Sequence, residues 1–505
     1  MSAVRAPRLG DPLPAPAPAS ARGHGRLLSL VSTYAGRIWA ISVAGLVGRL
    51  LFLDHQPLWR DEAFTAVVVQ RPVGQMLDAV RADSAPPLAY LLDHAVAAVS
   101  SGPAAVRLVA AVAGAGAIPL GAALGRRIAS TRAGVLTALL CAVTPALVLS
   151  ARDARMYSLA TTLVMASTLL LWRALERPTV VRWTLYAGAT TLALYTHYFV
   201  VFAVLAQLVS LLVLRARWRT VAAAALAAGV AALTLLPWLV AARAQFAHAG
   251  QPFWVQRFGF LPAVGVFLGF YSGPPIDPDT PDKVLLLTTQ GFCAGAGVLV
   301  ASAAAVFLWR RVPASGRRGG RFVLACSLVA IALVVAAAAV RPVFDARYVS
   351  VVWGPLFAVV GAGLALIPWR ALAAACLVAI AAPSIAVSAV VSHPDTPAAV
   401  AMLRSHVRAQ DVVDASPSVV LLLDYYGDAQ LQARTRVVQG SVDWFWGTAA
   451  FAPGTVVPAV PGEAAARGGV VYFVGEPADR AGLGAGWTAR SRQCWTGVCV
   501  TTYSR

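Results

Sequence analysis

The chain has 505 residues, of which 59% are hydrophobic and only 12% charged; a water-soluble domain carries about twice that charge. Mean hydropathy is +0.70, and apolar stretches near the length of about 20 residues that spans a bilayer recur along the chain, which excludes the soluble classes. The formal charge of +19 does not signal nucleic-acid binding, because the arginines sit in short clusters between apolar runs, as in the inner loops of membrane proteins. Lys283 is the only lysine, and the chain has no asparagine and hence no N-glycosylation acceptor.

Residues 1–37 form an inner N-terminal tail whose first 26 residues, rich in Pro, Ala and Arg, predict disorder. The apolar stretch 38–53 follows Arg37 and lacks a small-residue cleavage site, so it reads as an uncleaved anchor. The outer loop 54–106 contains LWRDEAFTA and then APPLAYLLDHAVAAV. The second piece is short and carries Asp93 and His94, and is expected as an amphipathic helix on the membrane surface. Further spans are expected near 107–125, 134–150, 157–173, 183–198, 199–214, 220–240, 286–309, 322–340, 348–367 and 371–391, with a long outer loop at 241–285. The fold class expected is therefore an all-α polytopic membrane protein of about eleven transmembrane helices spread over residues 38–392.

Charge tests this assignment. The inner loops hold Arg126, Arg127 and Arg132, then Arg173, Arg177 and Arg182, then Arg215, Arg217 and Arg219, then Arg310 to Arg321, then Arg370. The outer loops hold most of the acids, among them Asp54, Asp61, Glu62, Asp83, Asp153 and Asp345. Counting 87–100 as a span would reverse every later loop and move the arginine clusters outside. Residues 393–505 are no longer continuously apolar. The β-prone runs DVVDAS, SVVLLLDYY and GGVVYFVGE between Gly/Pro breaks predict a small extracytoplasmic α/β domain. Cys494 and Cys499 lie in this tail and are expected to form a disulfide in an oxidising compartment. Cys141, Cys293, Cys326 and Cys376 lie in or beside apolar spans and read as packing residues.

On this topology the unusual polar residues gather outside: Asp61 and Glu62, Arg107, SARDARMYS at 150–158, THYF at 196–199 and FDARY at 344–348. Adjacent carboxylates suit proton transfer from a hydroxyl, or a divalent cation that bridges to a phosphate. Isolated arginines suit a phosphate, which a guanidinium grips bidentately. Together they point to a phosphorylated lipid as one substrate. Each residue also has a plainer reading. Asp61 and Glu62 can cap a helix. Arg49 and Arg107 can snorkel to the interface. Arg155 with Asp153, and Arg347 with Asp345, can be surface pairs. His197 can sit at the lipid–water interface, and Tyr157, Tyr198, Tyr348, Trp254 and Tyr271 can belong to an aromatic belt. The GAG at 114–116 suits helix packing.

The ordered set Trp59-x-Asp61-Glu62-Ala63, Pro86-Pro87-Leu88-x-Tyr90, Arg107-Leu108, Arg155-Met156-Tyr157, Thr196-His197-Tyr198 and Arg347-Tyr348 resembles the GT-C glycosyltransferases, in the branch that holds protein O-mannosyltransferases, aminoarabinose transferases and family-39-like bacterial enzymes. The likeness runs over about 45–370. It implies an inverting transfer of a sugar from a polyprenyl-phosphate donor to a hydroxyl of an extracytoplasmic glycan, glycolipid or protein. The enzyme it implies is a multi-pass protein of the bacterial inner membrane with its active site on the outer face. It implies Asp61 as catalytic base or as the ligand of a divalent cation, and Glu62 as the group that orients or assists. Arg107, Arg155 and Arg347 would bind the donor phosphate, and Tyr157, His197 and Tyr348 would be substrate contacts. Two rival classes are a flippase for a lipid-linked saccharide, which would place ionisable groups near the bilayer midplane, and a non-catalytic scaffold for envelope assembly.

Overall fold

The computed structural model describes residues 32–505 except 52, 251–254, 256–257, 260–262, 264–280, 391–392, 461–463, 465–468 and 484. Each of the eleven apolar stretches is helical. Five of these helices are long and apolar enough to cross a bilayer alone: Pro103–Ile128, Tyr157–Glu176, Trp218–Ala241, Thr288–Phe307 and Gly316–Val340. A sixth crossing is available if Ala346–Trp353 and Leu356–Leu366, bent by 67° at the Gly354-Pro355 break, count as one. The expected eleven crossings are not reached on length and composition, because Tyr34–Leu50, Thr131–Val143, Val180–Leu194 and Val200–Val213 have 17, 13, 15 and 14 residues and Arg370–Ser384 is also among the shorter apolar helices. The expectations for Trp254 and Tyr271 in loop 241–285 fall outside the described residues.

Broken helices inside the bundle need partners for freed carbonyls. Pro145 ends the Thr131–Val143 run and has no N–H to return to Cys141. Arg49 supplies the missing donors. Its Nη2 donates to Cys141 O at 2.9 Å and its Nη1 to Ala142 O at 3.4 Å and Gly45 O at 2.9 Å. Ser384 Oγ donates to Val143 O. Arg49 is 1% exposed, so it is a clamp within the bundle and not the snorkelling residue expected. Gly114 makes room beside it: a Cβ there would lie 2.6 Å from Ala151 Cβ and 2.8 Å from Ser158 Oγ, which agrees with the packing role expected for 114–116.

Residues 54–106 contain three ten-residue helices, Arg60–Val69, Val73–Ala82 and Leu88–Ala97. The last is the segment expected on the membrane surface, and it is docked by its polar groups. Asp93 is buried, and His94 Nδ1 lies 2.7 Å from Val69 O. Leu91 and Leu92 face outward.

The tail holds a six-stranded mixed sheet in the order β3-β2-β1-β4-β6-β5. Its strands are β1 Val412–Ala415, β2 Thr435–Val438, β3 Val456–Val457, β4 Val471–Gly475, β5 Thr488–Trp495 and β6 Val498–Ser504. β1 to β4 pair in parallel; β4–β6 and β5–β6 are antiparallel. Cys494 and Cys499 face each other across the β5–β6 hairpin, which turns on Gly497 at φ 65°, and form the expected disulfide. DVVDAS and GGVVYFVGE supply β1 and β4. SVVLLLDYY does not form a strand; it is the helix Val420–Tyr426. A short apolar run carries no period that tells strand from helix, and this one packs on two sides: Val420 and Leu423 join the tail core while Leu421 and Leu422 join the membrane-domain core.

The Arg49 clamp has a measurable consequence. Arg49→Met removes the donors but keeps the bulk, leaving carbonyls unpaired at about 1–3 kcal/mol each. Thermal unfolding of the purified protein in detergent should shift clearly downward. An unchanged transition would return Arg49 to a snorkelling role.

Candidate active site

The Arg60–Val69 helix presents two adjacent carboxylates in opposite directions. Glu62, at the third helical position, turns inward and is fully buried. Its Oε2 accepts from the Trp59 amide at 3.2 Å, a side-chain hydrogen bond back to the N-cap backbone. Its Oε1 accepts from Arg107 Nε at 2.6 Å and from the Ala154 amide at 3.0 Å, and Oε2 also accepts from Arg107 Nη2. Arg107 spends its other N–H groups on the carbonyls of Leu53, Gln56 and Pro57. All five guanidinium donors are used, and the residue is 2% exposed. Arg107 therefore stands where it ties the end of the first helix, the loop 53–57 and the Arg60–Val69 helix to the Pro103–Ile128 helix. It has no donor left for the phosphate expected of it.

Asp61 turns the other way, into a pocket. Its Oδ2 lies 3.1 Å from Arg347 Nη1 and its Oδ1 3.3 Å from Arg60 Nε. The lining comprises Arg60, Asp61, Phe64, Asp83, Ser84 and Arg155, with Tyr157 and Tyr348 beyond them, and Leu421 and 445–447 from the tail. Burial raises the Asp61 pKa, but Arg155, Arg347 and Arg60 outweigh it, and the carboxyl titrates below its ordinary value. Asp61 is thus an ionised carboxylate at neutral pH.

Arg155 is the guanidinium with capacity to spare. Its Nη1 donates to Tyr90 Oη at 3.3 Å and to Asp61 O at 3.4 Å. Its Nε is buried without a hydrogen-bond partner, and among the described residues it has no ion pair. The plainer alternative, a surface pair with Asp153, does not form. Asp153 instead accepts from Trp59 Nε1 at 3.1 Å. Burial and the nearby Glu62 carboxylate push Asp153 up to about 7, against the pull of Arg155 and Arg347. Arg347 does pair with Asp345, at 3.1 Å, but it also reaches Asp61 and lies 5.4 Å over the Trp59 ring. Three separate motifs thus converge on one carboxylate.

Tyr157 and Tyr348 line the pocket with ring centroids 6.1 Å apart. His197 packs behind them, 5.5 Å from Tyr157 and 5.9 Å from Tyr348. Burial, helped by Arg155, drives its pKa down to about 3, and its Nδ1 accepts from the Phe199 amide at 3.1 Å. It is a neutral imidazole that supports the tyrosines, and it does not line the pocket. Sequence reasoning passed over Arg60, Asp83, Ser84 and the tail segment 445–447. Arg60 occupies the variable position of the Trp59-x-Asp61-Glu62-Ala63 motif. The run of aromatic residues Trp444, Phe445 and Trp446 in a polar tail was a visible signal that the motif order did not use.

The guanidiniums around Asp61 suit a phosphate. Both Asp61 oxygens face guanidiniums, and among the described residues no three His, Cys, Asp or Glu side chains stand together as ligands would.

Residues 83–240 match a family described as dolichyl-phosphate-mannose-protein mannosyltransferase; the match takes in the Pro-Pro-Leu, Arg107, Arg155 and His197 motifs and begins after Asp61. No curated protein sequence matches the chain. Among solved structures, ArnT from Cupriavidus metallidurans in the apo state is similar, with a TM-score of 0.53 at 16% identity over 96% of this chain and 98% of that one. The same protein bound to undecaprenyl phosphate gives 0.51 at 16% identity over 92% and 98%. The archaeal oligosaccharyltransferase AglB from Archaeoglobus fulgidus, in complex with an inhibitory peptide and a dolichol-phosphate, gives 0.50 at 14% identity over 87% and 69%. At such identities the likeness is one of fold, and the resemblance to the GT-C glycosyltransferases holds at that level.

The Glu62–Arg107 geometry predicts a stability phenotype. Arg107→Ala strands a buried carboxylate and should cost about 3–5 kcal/mol, read as a large drop in thermal stability and in membrane yield. A stable Arg107→Ala protein that has lost only polyprenyl-phosphate affinity would restore Arg107 as a phosphate ligand.

Proposed function

We propose that the chain is a glycosyltransferase that moves a sugar from a polyprenyl-phosphate donor to a hydroxyl of an extracytoplasmic glycan, glycolipid or protein, with inversion at the anomeric carbon. The observation that carries this reading is Asp61, an ionised carboxylate held in a pocket among Arg60, Arg155 and Arg347. The family match and the fold shared with ArnT support it, and the undecaprenyl phosphate and dolichol-phosphate of the two solved structures favour a polyprenyl phosphate as the donor class.

In this scheme the donor phosphate sits against Arg155 and Arg347. The acceptor oxygen attacks the anomeric carbon from the face opposite the phosphate. The anomeric C–O bond to the phosphate breaks, its electron pair stays on the departing polyprenyl phosphate, and the hydroxyl proton passes to Asp61. The guanidiniums stabilise the charge that develops on the leaving group. Donor binding also arms the base: a phosphate engaging Arg155 and Arg347 draws positive charge from Asp61 and adds negative charge beside it, and both effects raise its basicity. Glu62, Arg107 and Asp153 act through Trp59 and the backbone and are positioning residues. Tyr157 and Tyr348 wall the donor side, with His197 behind them.

The helical bundle lies in a bacterial inner membrane in this reading, with the N-terminus inside and the tail outside. The Pro103–Ile128 and Tyr157–Glu176 helices both begin near the site and end at an arginine cluster, where Arg127 pairs with Glu176 at 2.8 Å, the asymmetry the positive-inside rule requires. A flippase would need its ionisable groups near the midplane, whereas here they collect at one end of the bundle.

Transfer assayed in proteoliposomes tests the base. Asp61→Asn should insert and fold yet transfer slower by about 10²–10⁴-fold; near-normal turnover would remove Asp61 from the chemistry. The depressed pKa sets the pH response. Activity depends on the ionised form, so kcat/KM should hold as pH falls and decline only below the ordinary aspartate value of about 4, provided the fold persists there. An acid limb near pH 6 that persists in Asp153→Asn, and so does not come from the raised Asp153 carboxyl, would contradict the arginine-paired Asp61.

A further inference from the structure

The pocket has two sides of different origin. Arg155, Tyr157 and Tyr348 stand at the ends of membrane helices, the side from which a lipid donor arrives. The opposite wall comes from the tail: Leu421 and the 445–447 segment. This wall is built in, not merely nearby. The Leu58 amide donates to Tyr426 Oη at 2.7 Å, His393 Nδ1 lies 2.8 Å from Pro57 O, Tyr425 Oη donates to Ser101 O at 2.7 Å, and Arg71 donates to Ala450 O. Gly447 has φ 75°, and a Cβ there would meet Phe64 at 2.9 Å and Leu421 at 3.1 Å, so the segment is pressed onto the Arg60–Val69 helix at a position that favours glycine.

The chemistry of this wall is aromatic on one side and polar on the other. Phe445 and Trp446 have ring centroids 5.4 Å apart. Arg60, which pairs with Asp61, places its guanidinium 4.6 Å over the Trp446 ring. Asp83 and the Ser84 hydroxyl lie in the same lining. Apolar faces beside hydroxyl-binding groups match a sugar ring, which offers C–H bonds on a face and hydroxyls around its rim. An extended peptide commonly binds by adding to a strand edge, and none of the residues lining this pocket belongs to a strand.

Resting on the transferase reading above, we propose that Phe445, Trp446 and Gly447 of the tail form the acceptor subsite, that the acceptor is a saccharide stacked on this wall, and that its hydroxyl is thereby presented to Asp61. The site is incomplete without the tail, and Arg60 links acceptor occupancy to the base through its paired contacts with Trp446 and Asp61.

The test uses the full-length protein in a detergent without sugar headgroups. The probes are methyl glycosides of common envelope hexoses and pentoses, a Ser/Thr-containing peptide, and undecaprenyl phosphate. We expect at least one glycoside to bind saturably to the wild type. Trp446→Ala and Phe445→Ala should each weaken it by about tenfold or more, as loss of a central aromatic anchor does, and Trp446→Phe should largely retain it. Undecaprenyl phosphate should bind the same variants as it binds the wild type, which also shows that they are folded. Absence of glycoside binding to the wild type, unchanged binding in both alanine variants, binding of the peptide but no glycoside through these rings, or loss of undecaprenyl phosphate from the alanine variants would each overturn the proposal. Failure of undecaprenyl phosphate to bind the wild type counts against the donor reading, while the glycoside arms still decide this one.

Discussion

The site depends on one buried ion pair. Glu62 and Arg107 lie among apolar helices where an uncompensated charge costs several kcal/mol, and every polar atom of the pair is met: Glu62 by Arg107, Trp59 and Ala154, Arg107 by Glu62 and three loop carbonyls. That satisfaction fixes the entry to the Arg60–Val69 helix. Because successive side chains on a helix point about 100° apart, fixing Glu62 inward directs Asp61 outward, into the pocket. The adjacent carboxylates therefore differ in place: one holds the backbone, and the other faces the pocket where the proposed scheme puts substrate.

Around Asp61 the arginines form a graded set. Arg60 leans on Trp446 of the tail, Arg347 is shared with Asp345, and Arg155 keeps a buried Nε unpaired. A site that already neutralises one carboxylate with guanidiniums is ready for a second anion, because added negative charge relieves repulsion among the cations. In the proposed scheme the resting enzyme stores the phosphate-binding charge on its own base, and donor binding exchanges one anion for another. The tail contributes Leu421 and residues 445–447 to the same pocket and so brings the sheet-bearing segment up to Asp61.

Much of this was legible in the sequence, and the limits have physical causes. The apolar runs located where the bundle is helical, since periodicity and length are local properties. They did not reveal which helices are too short to cross alone, nor the bend at Gly354-Pro355. The motif order brought Asp61, Arg155, Tyr157 and Arg347-Tyr348 together correctly. Arg107 misled because a conspicuous arginine beside an acidic pair looks the same in sequence whether it binds phosphate or clamps Glu62; burial and hydrogen-bond accounting separate the two. Arg49 misled in the same way: the need created by Pro145 lies 96 positions further along the chain. The tail wall was hidden because the contacts of 445–447 with Phe64 and Arg60 bridge nearly 400 residues, and SVVLLLDYY became a helix because it serves two cores at once.

The central claim is that the donor phosphate competes with Asp61 for Arg347, which pairs with it, and for the charge of nearby Arg155. It is tested most directly by measuring undecaprenyl-phosphate affinity of purified wild type and Asp61→Asn. Removing the carboxylate's charge should free the guanidiniums, so the account predicts tighter phosphate binding in Asp61→Asn although its transfer rate collapses. Affinity that is unchanged or weaker in a folded Asp61→Asn protein would contradict it, because the arginines that hold the base would then not be those that hold the donor.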